Sequence, residues 1–189
     1  FNRHNLRLGG DYLFADDHQL SLTYNAQFMN GFNLSTVNGT QTSNARTRMV
    51  DQLHNGRIDY HTPFGMKAGV EYTYYHSPSS QLLHSRLEGD ELNFRSSDSQ
   101  RINRWKLFLS QEHELPNGWG VNYGAVYTTS LDNSYQYYYN LENDNMMLES
   151  NNMKSRRREQ TLNFYAGFNK SFGDNLSLDA SLAAEQFHT

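Results

Sequence analysis

Apolar residues recur at every second position along much of this 189-residue chain. A period of two admits strands and excludes amphipathic helices, whose apolar stripe returns roughly every 3.6 residues. In the first run Leu6, Leu8, Gly10, Tyr12 and Phe14 alternate with Arg7, Gly9, Asp11 and Leu13. After a turn at Ala15-Asp16-Asp17-His18, Leu20, Leu22, Tyr24, Ala26 and Phe28 alternate with Ser21, Thr23, Asn25 and Gln27, so the two runs pair as a hairpin. The unit recurs. Ile58 and Tyr60 lead through Pro63-Phe64-Gly65 into Met66, Ala68, Val70, Tyr72 and Tyr74. Trp105, Leu107 and Leu109 lead through Pro116-Asn117-Gly118 into Trp119, Val121, Tyr123, Ala125 and Tyr127. Leu162, Phe164, Ala166 and Phe168 lead through Gly173-Asp174-Asn175 into Leu176, Leu178, Ala180, Leu182 and Ala184. The pattern predicts an all-β, antiparallel up-and-down meander of about eight strands in a single unit over 1–189, with hairpins at about 3–34, 48–77, 101–129 and 156–188.

Composition narrows the class. No stretch approaches the roughly 20 consecutive apolar residues of a spanning helix, so a chain like this meets hydrocarbon through strands if it meets it at all. Mean hydropathy is −0.83 while aromatic residues make up 14%, a richness in rings that disordered chains lack. The formal net charge of −4 removes the bulk electrostatic reason to expect a nucleic-acid partner. Cysteine is absent, which excludes disulfide frameworks, cysteine zinc sites and thiol nucleophiles.

The connections alternate in length. Four are tight turns; the other three, at about 35–47, 78–100 and 130–155, read as long loops rich in Ser, Asn, Asp and Glu. Short turns at one end and long polar loops at the other form the layout of an outer-membrane barrel. On the apolar side Tyr12, Phe14, Tyr60, Trp119 and Phe168 lie near the turns, and Phe28, Tyr74, Trp105 and Tyr127 nearer the loops. Leu, Val and Ala fill the middle, as expected of a hydrocarbon band between two aromatic girdles. On the other side Arg7, Asp11, Arg57, Asp59, Lys67, Glu71, Lys106 and Asp179 are candidate lumen-facing charges, expected to pair with one another or with a plug. Several runs reach the roughly 9 to 11 residues a tilted spanning strand needs. The third strand is the weakest, because Gln52 and His54 fall in register with Ile58.

Leu6-Arg7-Leu8-Gly9-Gly10-Asp11-Tyr12 followed by His18-Gln19-Leu20-Ser21-Leu22 resembles the β-barrel portion of TonB-dependent receptors, and in particular the Bacteroidetes-type outer-membrane barrel family. So do Ile58 to Gly65 running into Lys67 to Tyr72, and Phe172-Gly173-Asp174-Asn175-Leu176-Ser177-Leu178. The resemblance implies energised uptake of a ligand across the outer membrane of a Gram-negative bacterium, with a plug domain and TonB as partners. Such barrels have more strands than this sequence can supply, and it shows no plug, no TonB-meeting box and no terminal aromatic signature. The chain therefore reads as an internal piece of a larger barrel. The alternatives are a complete eight-stranded outer-membrane protein of structural or adhesive role and a soluble β-sandwich that binds glycans.

Chemistry-bearing motifs are sparse. The eight histidines fall in different strands and turns without metal-ligand spacing. No nucleophile stands with an evident base, and no glycine loop cradles phosphate. The expectation is a non-enzyme without metal or cofactor. Lys154, Arg156, Arg157 and Arg158 form a basic cluster at the loop end and are candidates to face the phosphates of lipopolysaccharide. Arg46, Arg48, Arg86, Arg95, Arg101 and Arg104 lie at the same end. In the third loop, Tyr135, Tyr137, Tyr138 and Tyr139 offer stacking surfaces for a ligand.

Overall fold

The computed structural model describes residues 1–14, 17–39, 41–87, 90–142, 146–148, 151–172 and 176–189. The expected turns at Ala15-Asp16 and at Gly173-Asp174-Asn175 lie outside these residues. The described strands form one antiparallel sheet: β1 (Asn2–Leu13), β2 (Gln19–Val37), β3 (Gln41–His61), β4 (Met66–Leu87), β5 (Asp90–Leu115), β6 (Trp119–Asn140), β7 (Met146–Met147), β8 (Met153–Phe172) and β9 (Leu176–His188). Each long strand pairs with its neighbours in chain order, and β7 is a two-residue addition to β6. β1 pairs only with β2 and β9 only with β8, so the sheet is open. The all-β up-and-down meander is as expected, and the two-sheet sandwich allowed by the alternation does not form.

The turns are held locally. Pro63 and Phe64 occupy the centre of a turn in which the Gly65 amide donates to the Thr62 carbonyl (3.2 Å) and the Met66 amide to Thr62 Oγ1 (3.0 Å). Gly65 has φ 84°, a left-handed value that costs glycine little. Asn117 and Gly118 likewise have positive φ in the three-residue turn joining β5 to β6.

The long loops expected at 35–47, 78–100 and 130–155 are strand for most of their length. β2 continues to Val37 and β3 resumes at Gln41; β4 continues to Leu87 and β5 resumes at Asp90; β6 runs to Asn140. Their Ser, Asn and Asp content favours turns in isolation. Here the pairing is continuous, for example Arg46 with Leu82 and Leu82 with Arg95, so cross-strand backbone bonds override local preference. At roughly 3.3 Å per residue, the 26 residues of β5 reach about 85 Å, far more than a bilayer crossing requires.

Among the described residues no second layer covers either face. Among the described residues Ala26, 4% exposed, is the only buried apolar side chain. The accessible surface is 13448 Å² for 22.0 kDa, where a compact monomer of that mass exposes about 9,300 Å².

The extended hairpins predict slow amide exchange. Native-state hydrogen exchange should show protection across 42–49, 79–86 and 91–99 comparable to the turn-side halves of the same strands; exchange at free-peptide rates there would contradict the pairing.

Candidate functional site

Antiparallel pairing puts partnered residues on the same side of the sheet, so the ladders sort every strand residue onto one of two faces. One row of partners reads Tyr12, Leu20, Tyr60, Ala68, Leu109, Ala125, Phe164, Ala184 from β1 to β9. The adjacent row on that face reads Gly10, Leu22, Ile58, Val70, Leu107, Tyr127, Leu162, Gln186. These side chains are open to the outside: Leu22 is 57% exposed, Leu107 48%, Phe164 54% and Leu182 78%. Soluble monomers rarely expose apolar patches larger than a few hundred Å², whereas this one crosses the whole sheet.

The apolar band runs obliquely to the rows of partners. On β2 it extends from Leu20 to Leu34; on β8 it lies between Leu162 and Phe172, toward the turn end. Strands tilted against a level slab of hydrocarbon produce this drift. On β6 the same face carries Tyr127, level with mid-band Leu107, and then Thr129 and Leu131.

Polar tips on this face find partners within the band and at its margins. Tyr24 Oη and His54 Nδ1 are 2.7 Å apart, and Tyr72 Oη donates to Asn103 Oδ1 (2.9 Å). Gln160 Nε2 donates to Tyr127 Oη (2.9 Å). Tyr72 and Trp105 pack with ring centroids 4.6 Å apart. At the turn end Tyr60 Oη and His18 Nδ1 lie 2.8 Å apart, and Lys170 stands over the Trp119 ring at 5.0 Å. Of the expected girdle residues, Tyr12, Phe28, Tyr60, Tyr74, Trp105, Trp119, Tyr127 and Phe168 share this face, and Phe14 follows the end of β1, its ring 4.7 Å from Tyr12. His54, the weak point of the third strand in sequence terms, is accommodated there through Tyr24 and an edge contact with Phe28.

Arg7, Asp11, Arg57, Asp59, Lys67, Glu71, Lys106 and Asp179 all fall on the opposite face. Arg57, Glu71 and Lys106 are consecutive partners in one row. Arg57 contacts Asp59 at 2.7 Å and lies over the Phe108 ring at 5.1 Å, while Asn55 Nδ2 donates to Glu71 Oε1 and Thr73 Oγ1, each at 2.9 Å. Further along, Ser77 donates to Asp51, Ser79 to Asp98 (2.7 Å) and Gln100 to Asp132 Oδ2 (2.8 Å), while Asp132 Oδ1 is buried without a partner. This face holds ions of both signs in hydrogen-bonded sets.

It is also the crowded face. A methyl at Gly69 would collide with the Phe108 ring, and one at Gly124 would lie 2.6 Å from Tyr165 Oη; Phe108 and Tyr165 are the cross-strand partners of these glycines and fold over them. On the apolar face Gly10 and Gly56 have nothing within 4 Å of such a methyl.

Two sequence-level groupings are divided by the alternation. Lys154, Arg156 and Arg158 share the apolar face, but Arg157 lies on the polar one, where it contacts Glu159 at 3.1 Å. Tyr135, Tyr137 and Tyr139 point to the apolar side and Tyr138 to the other, against Phe94, and all four belong to β6 and not to a loop. A grouping by sequence proximity holds for a loop; in a strand, neighbours point apart. The segregation of acids was also missed. Glu91 is the one acid that the described strands place on the apolar face, against Asp51, Asp98, Asp132 and Glu159 on the polar face of the same extensions. Tracking parity through the supposed loops would have found it.

The contrast between glycines gives a stability test. Gly69→Val should lower folding stability by about 1 to 3 kcal/mol, while Gly56→Val should stay within about 0.5 kcal/mol, read from urea midpoints of the folded form. Equal losses would mean that the two faces are equally crowded.

No family model matches the chain, and no curated protein does. Among solved structures, the beta domain of the Bordetella autotransporter Brka aligns over 98% of this chain and 90% of its own at 11% identity with a TM-score of 0.21, a likeness too slight to argue from.

Proposed function

We propose that this chain forms a contiguous wall of a β-barrel in the outer membrane of a Gram-negative bacterium, with the apolar face toward lipid and the charged face toward the lumen. The observation that carries this reading is the uncovered apolar face. Burying a Leu, Phe or Ile side chain contributes about 1.5 to 3 kcal/mol, and this sheet leaves a band of them bare while crowding its polar side. Hydrocarbon outside and a wet, ion-paired interior satisfy both faces. An open sandwich half in water satisfies neither.

The finer reading is the barrel of a TonB-dependent transporter, working as a rigid frame around a plug. It rests on the hairpin motifs around Leu6 to Leu22, Ile58 to Tyr72 and Phe172 to Leu178; the open sheet fits it as it fits any barrel of more than eight strands. β1 and β9 each leave one edge unpaired, and membrane barrels leave no edge in lipid. Neighbouring strands on both sides would complete the wall, whereas a closed eight-stranded barrel would pair β1 with β9. The paired charges around Arg57, Glu71 and Lys106 would then face the plug.

Two measurements test the two levels. The full-length product of the gene, expressed in a Gram-negative host, should require detergent for extraction and migrate faster unboiled than boiled; a detergent-free soluble monomer would overturn the barrel. The purified protein should bind the periplasmic domain of TonB; a folded outer-membrane protein that shows no such binding would leave the barrel and remove the transporter.

A further inference from the structure

On the apolar face, a basic residue follows the last apolar one at the upper margin of three strands. Arg158 stands two same-face positions beyond Leu162 on β8, Arg101 two beyond Trp105 on β5, and Arg48 one beyond Val50 on β3. These margins lie on different rows of partners. Arg158 is level with Tyr74, Arg101 pairs with His76, and Arg48 pairs with Phe32 and Ser80, so the basic border climbs from β8 to β3 just as the apolar band does. Charges scattered over a solvated hairpin have no reason to follow the slope of a hydrocarbon band.

Three features point to an anionic occupant. Acids are kept off this face: among the described strands the one exception, Glu91, sits at the far tip, 3.8 Å from Arg86. Among the described residues Arg48, Arg101, Arg156 and Arg158 have no carboxylate within ion-pair distance. Rings underlie the neighbouring cations, with Arg95 over Tyr139 at 4.6 Å, Lys154 over Tyr137 at 5.5 Å and Arg46 over Phe32 at 5.7 Å. Such stacking fixes a cationic head at a surface without neutralising it.

We infer that this border is a binding site for the phosphate groups of an acylated glycolipid in the outer leaflet. Arg101, Arg156 and Arg158 would hold phosphate while the acyl chains lie against the band below them. The ligand must combine hydrocarbon and anion at a fixed offset, because the site does; Arg forks then take phosphate oxygens in pairs. The long-hairpin end is the extracellular end of such barrels, which selects the outer leaflet. The inference rests on the outer-membrane reading. It removes Arg157 and Arg104 from the basic group, since both lie on the polar face.

The test uses the detergent-purified full-length protein and bisphosphorylated lipid A as probe. The R156Q/R158Q variant should bind lipid A about tenfold more weakly than the parent. The R104Q/R157Q variant, altered at nearby positions on the polar face, should stay within about twofold. The parent should also prefer bisphosphorylated over dephosphorylated lipid A and over phosphatidylglycerol, a comparison that needs no variant to fold. Equal weakening in both variants, no preference for the phosphorylated lipid, or full displacement by excess inorganic phosphate would overturn the site. Heat-modifiable migration of the same sample keeps the outcomes apart: a folded barrel without lipid A discrimination refutes this inference alone, and a protein that needs no detergent refutes the membrane reading beneath it.

Discussion

Backbone pairing between adjacent strands carries this fold, because there is almost nothing else to carry it. A single apolar side chain is buried among the described residues, so burial within the chain cannot offset the entropy of ordering long strands. What remains internal is the ladder of amide to carbonyl bonds. That ladder also fixes the faces: a slip of one residue between β4 and β5 would turn Leu107 and Leu109 to the polar face and Lys106 and Phe108 to the apolar one, dividing the band. Register is thus the quantity on which the apolar face, the ion pairs and the basic border all depend.

The two faces solve different solvation problems. The polar face places Arg57 against Asp59 and caps Gly69 with Phe108, so ions and rings close over the backbone. The apolar face has open glycines, rings at its margins and nearly no acids. An exposed Leu on one strand would be ordinary; a band that drifts steadily from β2 to β8 is a boundary shared by all the strands. The same slope in the arginines links the electrostatics of that face to its hydropathy.

Much of the architecture was legible in the sequence because period-two alternation is a direct print of the pleat. Leu20 to Phe28 and Trp119 to Tyr127 announce strand and face together, and Pro63-Phe64-Gly65 announces the turn. The upper halves of the strands were not legible by composition, since Ser, Asn and Asp favour turns when considered singly. Asn38-Gly39 reads as a turn in the sequence, and in the structure it lies between the ends of β2 and β3; the polar content of 35–47 obscured the strands on either side of it. Reading those segments as loops carried a second cost: Arg157 was grouped with Arg156 and Arg158, and Tyr138 with Tyr137 and Tyr139, because parity has no meaning in a loop.

The central claim is that the Leu, Val and ring-bearing face lies against hydrocarbon. Nitroxide labels placed singly at 105, 106, 107, 108 and 109 in the full-length protein, reconstituted in liposomes, report that contact residue by residue. Collisions with lipid-dissolved oxygen should dominate at 105, 107 and 109, and collisions with a water-soluble nickel chelate at 106 and 108. Uniform accessibility to the nickel chelate across all five positions would contradict the account.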